Sequence, residues 1–268
     1  MHEKSAIIPS LNPEKTVKTI SEFIKDMIEN SKTDGLVVGL SGGLDSSTAA
    51  YISAESTDKD KILGLIMPSV TTEQEEVDDA LLVAENLGIE KEVIQIDHLI
   101  EPFGELCAHS DSKYDNKLAR ANLKARIRMM ILYYHANSMN RLVVGTGNKS
   151  ELLVGYFTKY GDGGVDMLPL GDLYKTDVRQ IASYLQIPGR IINKPPTAGL
   201  WSGQTDEEEL GIKYQHLDEI LYLMVDKNQK DHHVAEKLEI SQEEILRIKN
   251  MMKSAEHKLN PLPLPKIR

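Results

Sequence analysis

The chain has 268 residues, 41% of them hydrophobic and 27% charged, with a formal net charge of -10. That is an ordinary globular composition, and its acidity argues against non-specific nucleic-acid binding, which needs a basic face. No apolar run reaches the length of a membrane span, the N-terminus lacks the pattern of a signal peptide, and the single cysteine, Cys107, cannot form an internal disulfide and suits the cytoplasm.

Asn12-Pro13 reads as an N-cap followed by proline at the first helical position, and Val17, Ile20, Ile24, Met27 and Ile28 continue at helical spacing. Leu36 to Leu40 reads as a buried strand, and Asp45 to about Glu55 as a helix. Lys61 to Met67 is a second predicted strand, stopped by Pro68. Glu73 to Leu87 follows as a helix closed by Gly88, then Glu92 to Ile96 as a third strand. Cys107 reads as a small apolar filler. Tyr114 to Met139 is a long helical stretch, and Arg141 to Gly145 a fourth strand ending at Thr146.

Beyond Gly155 the pattern changes. Gly155 to Gly171 is glycine-rich and irregular, Thr176 to Gln186 reads as a helix, and Thr205 to Glu209 as an N-cap with an acidic first turn. Two or three short helices and an extended proline-rich tail complete the chain. The acidic runs Glu73 to Asp79 and Asp206 to Glu209 read as solvated faces. Strands alternating with helices predict an α/β fold: a doubly wound, mostly parallel sheet with helices on both faces. The whole chain, 1–268, reads as a single domain with a C-terminal helical portion from about residue 205. Ligands of such folds sit at the carboxyl ends of the strands, where Gly39 to Ser41, Met67-Pro68 and Thr146 all fall.

The most informative segment is Gly39-Leu40-Ser41-Gly42-Gly43-Leu44-Asp45-Ser46-Ser47, which joins the first strand to a helix. Glycines let the backbone approach a ligand closely, and the N–H groups of the helix start have no internal partners. With the helix dipole they form an anion site, to which Ser41, Ser46 and Ser47 add hydroxyls. Asp45 would repel a phosphate unless a cation stood between them, which predicts Mg²⁺. The segment is neither a Walker A loop nor a dinucleotide fingerprint. It resembles the signature loop of the N-type ATP pyrophosphatases, which cleave ATP to AMP and pyrophosphate while adenylating a substrate.

Further segments narrow the resemblance. Asn122 to Met129, Gly145 to Glu151, Phe157-Thr158-Lys159-Tyr160-Gly161-Asp162-Gly163-Gly164-Val165-Asp166, Lys175, Pro196 to Leu200 and Glu256-His257-Lys258 resemble NAD synthetases in order and separation. The resemblance runs from about Leu36 to Lys258. It implies an adenine nucleotide alpha hydrolase-like fold. It also implies ATP-dependent amidation of deamido-NAD to NAD through an acyl adenylate, with ammonia as nitrogen source. By the same resemblance Gly39, Leu40, Ser41, Gly42, Gly43, Leu44, Asp45, Ser46, Thr146, Lys175 and Thr197 are ATP contacts. Asp45 and Glu151 match Mg²⁺ ligands, and Asp45 and Lys175 are the expected catalytic pair. Arg126, Lys159, Asp166, His257 and Lys258 match deamido-NAD contacts. Read alone, Glu151 is a surface helix residue, Lys175 a solvated lysine, and His257-Lys258 an exposed polar pair. Arg128 reads as structural or secondary, and no histidine shows metal-ligand spacing.

Two departures bear on the nitrogen source. Gly147-Asn148 stands where many bacterial ammonia-dependent synthetases have Asp-His, and Gly199 where they have Asp. This version resembles archaeal enzymes and the synthetase domains of glutamine-dependent ones. Too few residues precede the loop to build a glutaminase domain, so direct use of ammonia is expected, with a separate glutaminase as the alternative. The resemblance also implies a homodimer with the dinucleotide at the subunit interface. Two other readings stand beside it: another ATP pyrophosphatase, such as a GMP synthetase-like amidotransferase subunit, or a nucleotide-binding sensor that does no chemistry.

Overall fold

The computed structural model describes residues 7–107, 117–197, 199, 201, 203, 205–260 and 263–267. The predicted positions His109, Tyr114, Ala198, Leu200 and Pro261 lie outside them. In chain order the elements are α1 (Pro13–Ser31), β1 (Gly35–Gly39), α2 (Leu44–Ser56), β2 (Ile62–Ile66), α3 (Gln74–Leu87), β3 (Glu90–Val93), α4 (Asp97–Leu106) and α5 (Lys117–Ser138). Then come β4 (Arg141–Val144), α6 (Lys149–Val154), α7 (Lys175–Tyr184), α8 (Gly189–Ile192), α9 (Asp206–Leu210), α10 (Tyr214–Leu221), α11 (Asp231–Leu238) and α12 (Gln242–Leu259).

The local chemistry of these elements follows the sequence. Asn12 caps α1, its side chain accepting from the Lys15 amide at 2.9 Å, with Pro13 behind it. Gly88 closes α3 in the left-handed conformation, φ 64°. The four strands form one parallel sheet in the order β3-β2-β1-β4. Leu36, Leu142 and Ile62 face a core shared with α1, α2, α3, α7 and α8, while Val37, Leu63, Leu65 and Val143 face a second core under α4 and α5. Alternate residues of one strand thus serve opposite layers, and helices cover both faces. A third core joins α6 to α10, α11 and α12 through Val154, Leu217, Val234 and Ile248.

The strand order reverses at β1: its chain successor β2 lies on one side and β4 on the other. The loops leaving β1 and β4 therefore diverge and open a crevice at the carboxyl end of the sheet.

Several expectations shift. The third strand forms two residues earlier than its apolar run, because β2 offers Val93 its last paired position at Ile66, before Pro68. The ladder continues beyond it, the Ile94 amide donating to the Ile66 carbonyl at 2.8 Å and the Ile96 amide to the Pro68 carbonyl at 3.1 Å, while the Ile96 side chain fills the α4–α5 core and the exposed, charged Glu90 to Glu92 protect the edge. Helix α4 carries Pro102 within it. Cys107 is exposed at the end of that helix, not buried as filler, because the third turn ends in solvent there. Thr205 occupies the N-cap of α9 but its hydroxyl makes no capping bond.

The acidic runs are not wholly solvated. Asp79 is 0% exposed and pairs with Lys194 and, at 2.6 Å, with Arg190. Asp206 is buried and accepts from Tyr156 at 3.1 Å and Tyr214 at 3.4 Å. A buried carboxylate needs such partners, and here all but Tyr214 come from distant segments.

Asp218 of α10 is also fully buried. It accepts from the Ser150 hydroxyl and, at 2.9 Å, from the Thr176 amide, and the Ser150 oxygen in turn accepts from the Lys175 amide at 2.9 Å. One carboxylate thereby locks α6 to the start of α7. Burial pushes its pKa up to about 6, against the opposing pull of those hydrogen bonds. A carboxyl whose pKa is higher folded than unfolded holds its proton more tightly in the folded chain. Its contribution to stability is full below the unfolded carboxyl value and lost as pH rises through about 6. The Tm of Asp218→Asn minus that of the unsubstituted chain should therefore climb between about pH 4 and pH 6. A difference that is flat over that range contradicts the assignment.

Candidate active site

The crevice holds a cavity of about 630 Å³. Its walls include Gly39, Leu40, Ser41, Gly43, Leu44, Asp45 and Ser46 from the β1–α2 loop, Met67 and Pro68 after β2, and Thr146 after β4. Glu151, Lys175, Thr197 and Lys258 also line it. All three strand ends singled out in the sequence thus meet in one place.

The loop is braced by its own hydroxyls, and its Leu40, Ser41 and Gly43 amides are used internally. The Ser46 hydroxyl donates to the Gly43 carbonyl at 3.1 Å and accepts from the Ser41 amide at 3.2 Å, while the Ser47 hydroxyl turns back to Gly43 at 2.7 Å. Ser47 thus serves the helix start, not a ligand. Gly42 stands outside the cavity wall and has φ +74°, and a Cβ there would overlap the Glu76 carbonyl. Its role is the turn itself, which presses the loop against α3.

Three helix N-termini converge on the cavity. Asp45 lies in the first turn of α2, Glu151 in that of α6, and Lys175 opens α7. Lys175 is 3% exposed; its ammonium pairs with Asp45 and, at 3.1 Å, with Glu151, and lies 4.9 Å from the centre of the Tyr214 ring. A cation at a helix N-terminus opposes the dipole, so the two carboxylates are what hold it there. Burial alone would lower the Lys175 pKa, but Asp45 and Glu151 outweigh it and drive it upward. Burial pushes Glu151 up to about 7, with Lys175 pulling down and Asp45 pushing up. Asn148 completes the group: its side chain accepts from the Glu151 amide at 3.0 Å and donates to Asp45 at 3.0 Å. The Asn148-Lys149-Ser150-Glu151 capping box carries this link and is legible as a motif.

The donor set suits a hard divalent cation. Two carboxylates share one ammonium, and Mg²⁺ takes one or two carboxylates together with phosphate oxygens and water. Among the described residues no three or more His, Cys, Asp or Glu side chains cluster as a metal site, so phosphate or water oxygens would have to complete the shell.

Of the residues matched to deamido-NAD, only Lys258 lines the cavity, its ammonium donating to the carbonyls of Gly155 at 2.6 Å and Phe157 at 2.7 Å. The other four lie outside the wall. Arg126 is exposed and donates to the Lys159 carbonyl at 3.4 Å; Lys159 donates to the His257 carbonyl. Asp166 accepts from the Tyr133 hydroxyl at 2.9 Å and the Val143 amide at 2.8 Å, tying its loop to β4. Arg128, set aside in the sequence, does line the cavity and donates to the Met67 carbonyl at 3.0 Å. Trp201 forms part of the rim with the Lys117 ammonium 4.1 Å from its ring centre.

A family model described as NAD synthase matches residues 16–262. The chain belongs to the NAD synthase family. Within it, an NH(3)-dependent NAD(+) synthetase of Archaeoglobus fulgidus is 49% identical over 96% of this chain and 99% of its own. Among solved structures, the NMN synthetase of Francisella tularensis superposes with a TM-score of 0.84 at 34% identity, over 96% of this chain and 100% of that one. The NH3-dependent NAD synthetase of Campylobacter jejuni gives 0.80 at 28% identity, with the same coverage. The NAD synthase fold is thus the parallel sheet and helical layers described above. Among the described residues no helix is long and apolar enough to cross a membrane.

Proposed function

We propose that this chain amidates deamido-NAD to NAD, using ATP and ammonia. The convergence of the Ser-Gly-Gly loop with Asp45, Glu151 and Lys175 at three helix N-termini carries the reading. A carboxylate is a poor acyl donor until one oxygen becomes part of a good leaving group. In the proposed first step a nicotinate oxygen attacks the α-phosphorus of ATP, and pyrophosphate departs with its bonding electrons. Ammonia then attacks the acyl carbon, loses a proton, and AMP leaves.

The start of α2 takes the phosphates on its amides within the loop from Gly39 to Ser46, Lys175 meets the charge that develops on the departing oxygen, and Thr146 and Thr197 flank the nucleotide. Asp45 and Glu151 are the residues to hold Mg²⁺, which neutralises phosphate charge when bound. Such enzymes act chiefly through positioning and charge neutralisation.

Arg126, Lys159, Asp166 and His257 serve deamido-NAD from outside the wall of one chain, which supports a homodimer. Met130 and Tyr134 stand exposed beside Arg126 on one stripe of α5, and Leu99, Phe103 and Leu106 are exposed on neighbouring α4. Such an apolar surface is the kind a second copy covers. The protein should sediment at twice the 30.0 kDa of one chain; sedimentation as a monomer at micromolar concentration contradicts the pairing. A cytoplasmic location fits the lone exposed thiol.

The test is NAD formation from ATP, Mg²⁺ and deamido-NAD, with ammonium against glutamine and AMP measured in parallel. Equal NAD and AMP with ammonium alone supports the reading. AMP without NAD points to a missing glutaminase partner, and no AMP from any carboxylate favours a sensor. The likeness to the Francisella NMN synthetase supports a second arm, with nicotinate mononucleotide in place of the dinucleotide.

A further inference from the structure

The cavity is poor in available positive charge. Among the described residues its wall carries five cations, Arg128, Lys175, Arg179, Lys194 and Lys258, against six carboxylates. Four of the five are engaged: Lys175 by Asp45 and Glu151, Lys194 by Asp79, Arg128 by the Met67 carbonyl, and Lys258 by two backbone carbonyls. The Arg179 guanidinium has no hydrogen bond or ion pair among the described residues; the residue's backbone carbonyl accepts from the Ser183 hydroxyl. A nucleoside triphosphate would bring several negative charges into this balance.

Arg179 is also placed to meet them. It lies four residues after Lys175 on α7, one turn on and on the same side of the helix. It is exposed at the mouth of the cavity, whereas Lys175 is sealed at its floor. A guanidinium offers a fixed fork of donors that fits two phosphate oxygens at once.

The geometry points to Arg179 as the receptor of the pyrophosphate end of ATP, and of pyrophosphate after it leaves. This rests on the proposed reaction for its role, but the contact itself is readable without turnover. Lys175 and Arg179 then form a ladder along α7: the buried lysine nearer the bond that breaks, the exposed arginine nearer solvent. Their division of labour follows from burial. Lys175 keeps a fixed position through Asp45 and Glu151, while Arg179 is free to follow the leaving group outward.

Calorimetric titration with magnesium pyrophosphate, and separately with AMP, tests this on the full chain, Arg179→Gln and Arg179→Lys. In Arg179→Gln, pyrophosphate should bind about 10- to 100-fold more weakly and AMP within about twofold of the unsubstituted chain. Arg179→Lys should recover part of the loss, since it restores charge without the fork. Unchanged pyrophosphate affinity in Arg179→Gln overturns the inference, as does an equal loss of AMP binding or no pyrophosphate uptake by the unsubstituted chain. Failure of that chain to make NAD, with pyrophosphate binding still dependent on Arg179, would instead remove the proposed reaction and leave the contact standing.

Discussion

Lys175→Met should lower the Tm of the ligand-free protein at pH 8 by about 10 °C, and millimolar Mg²⁺ should restore part of that loss. The substitution preserves bulk but leaves Asp45 and Glu151 facing one another with no cation between them. Removing one partner from a buried ionic group costs about 3–5 kcal/mol, because the remaining charge keeps its desolvation penalty. A divalent cation supplies the missing charge by mass action on the folded state. In the unsubstituted chain the ammonium already occupies that position, so added Mg²⁺ without nucleotide should move its Tm much less. Turnover should fall by about 10²- to 10³-fold, as expected when a preorganised charge at a departing oxygen is removed. A Met variant as stable as the parent in chelator, or one that ignores Mg²⁺, would show that the carboxylates do not form a shared cation site.

Asp45→Asn should behave oppositely: little change in stability, severe loss of chemistry. The amide is nearly isosteric, its oxygen can still accept from Asn148, and Lys175 retains Glu151. What disappears is one negative charge at the point where Mg²⁺ is proposed to bind. We expect a Tm within a few degrees of the parent, because the ammonium stays paired, and AMP formation reduced by about 10²- to 10³-fold. Raising Mg²⁺ should not recover it, since the missing ligand is anionic. AMP formation near the parent rate in Asp45→Asn would refute the metal role. Measured together, the two variants separate the cation that stabilises the empty site from the ligand that serves the filled one.

The loop was legible because its chemistry is local. A five-residue apolar strand, two glycines and a helix start specify a tight strand-to-helix turn without help from the rest of the chain. The parallel sheet was legible for a similar reason, since β1 and β2 are buried on both faces and read as unbroken apolar runs. Helix α4 was not, because Pro102 and Gly104 punctuate it as a loop would be punctuated. Nor was the burial of Asp79 and Asp206, which depends on Lys194, Arg190 and Tyr156 arriving from elsewhere. Arg126 and Arg128 show the same limit within one helix. Two residues apart, they project in different directions, and only the folded chain shows that Arg128 meets the cavity and Arg126 does not.

Trp201 has a consequence for how the protein can be watched. It is the chain's one tryptophan and it sits on the rim of the cavity, its ring beneath the Lys117 ammonium. Indole emission responds to nearby charge and to water, so light emitted by this ring originates at the cavity mouth and nowhere else in the chain. Occupancy of the crevice, and the time course of filling and emptying, can be followed by fluorescence on unlabelled protein.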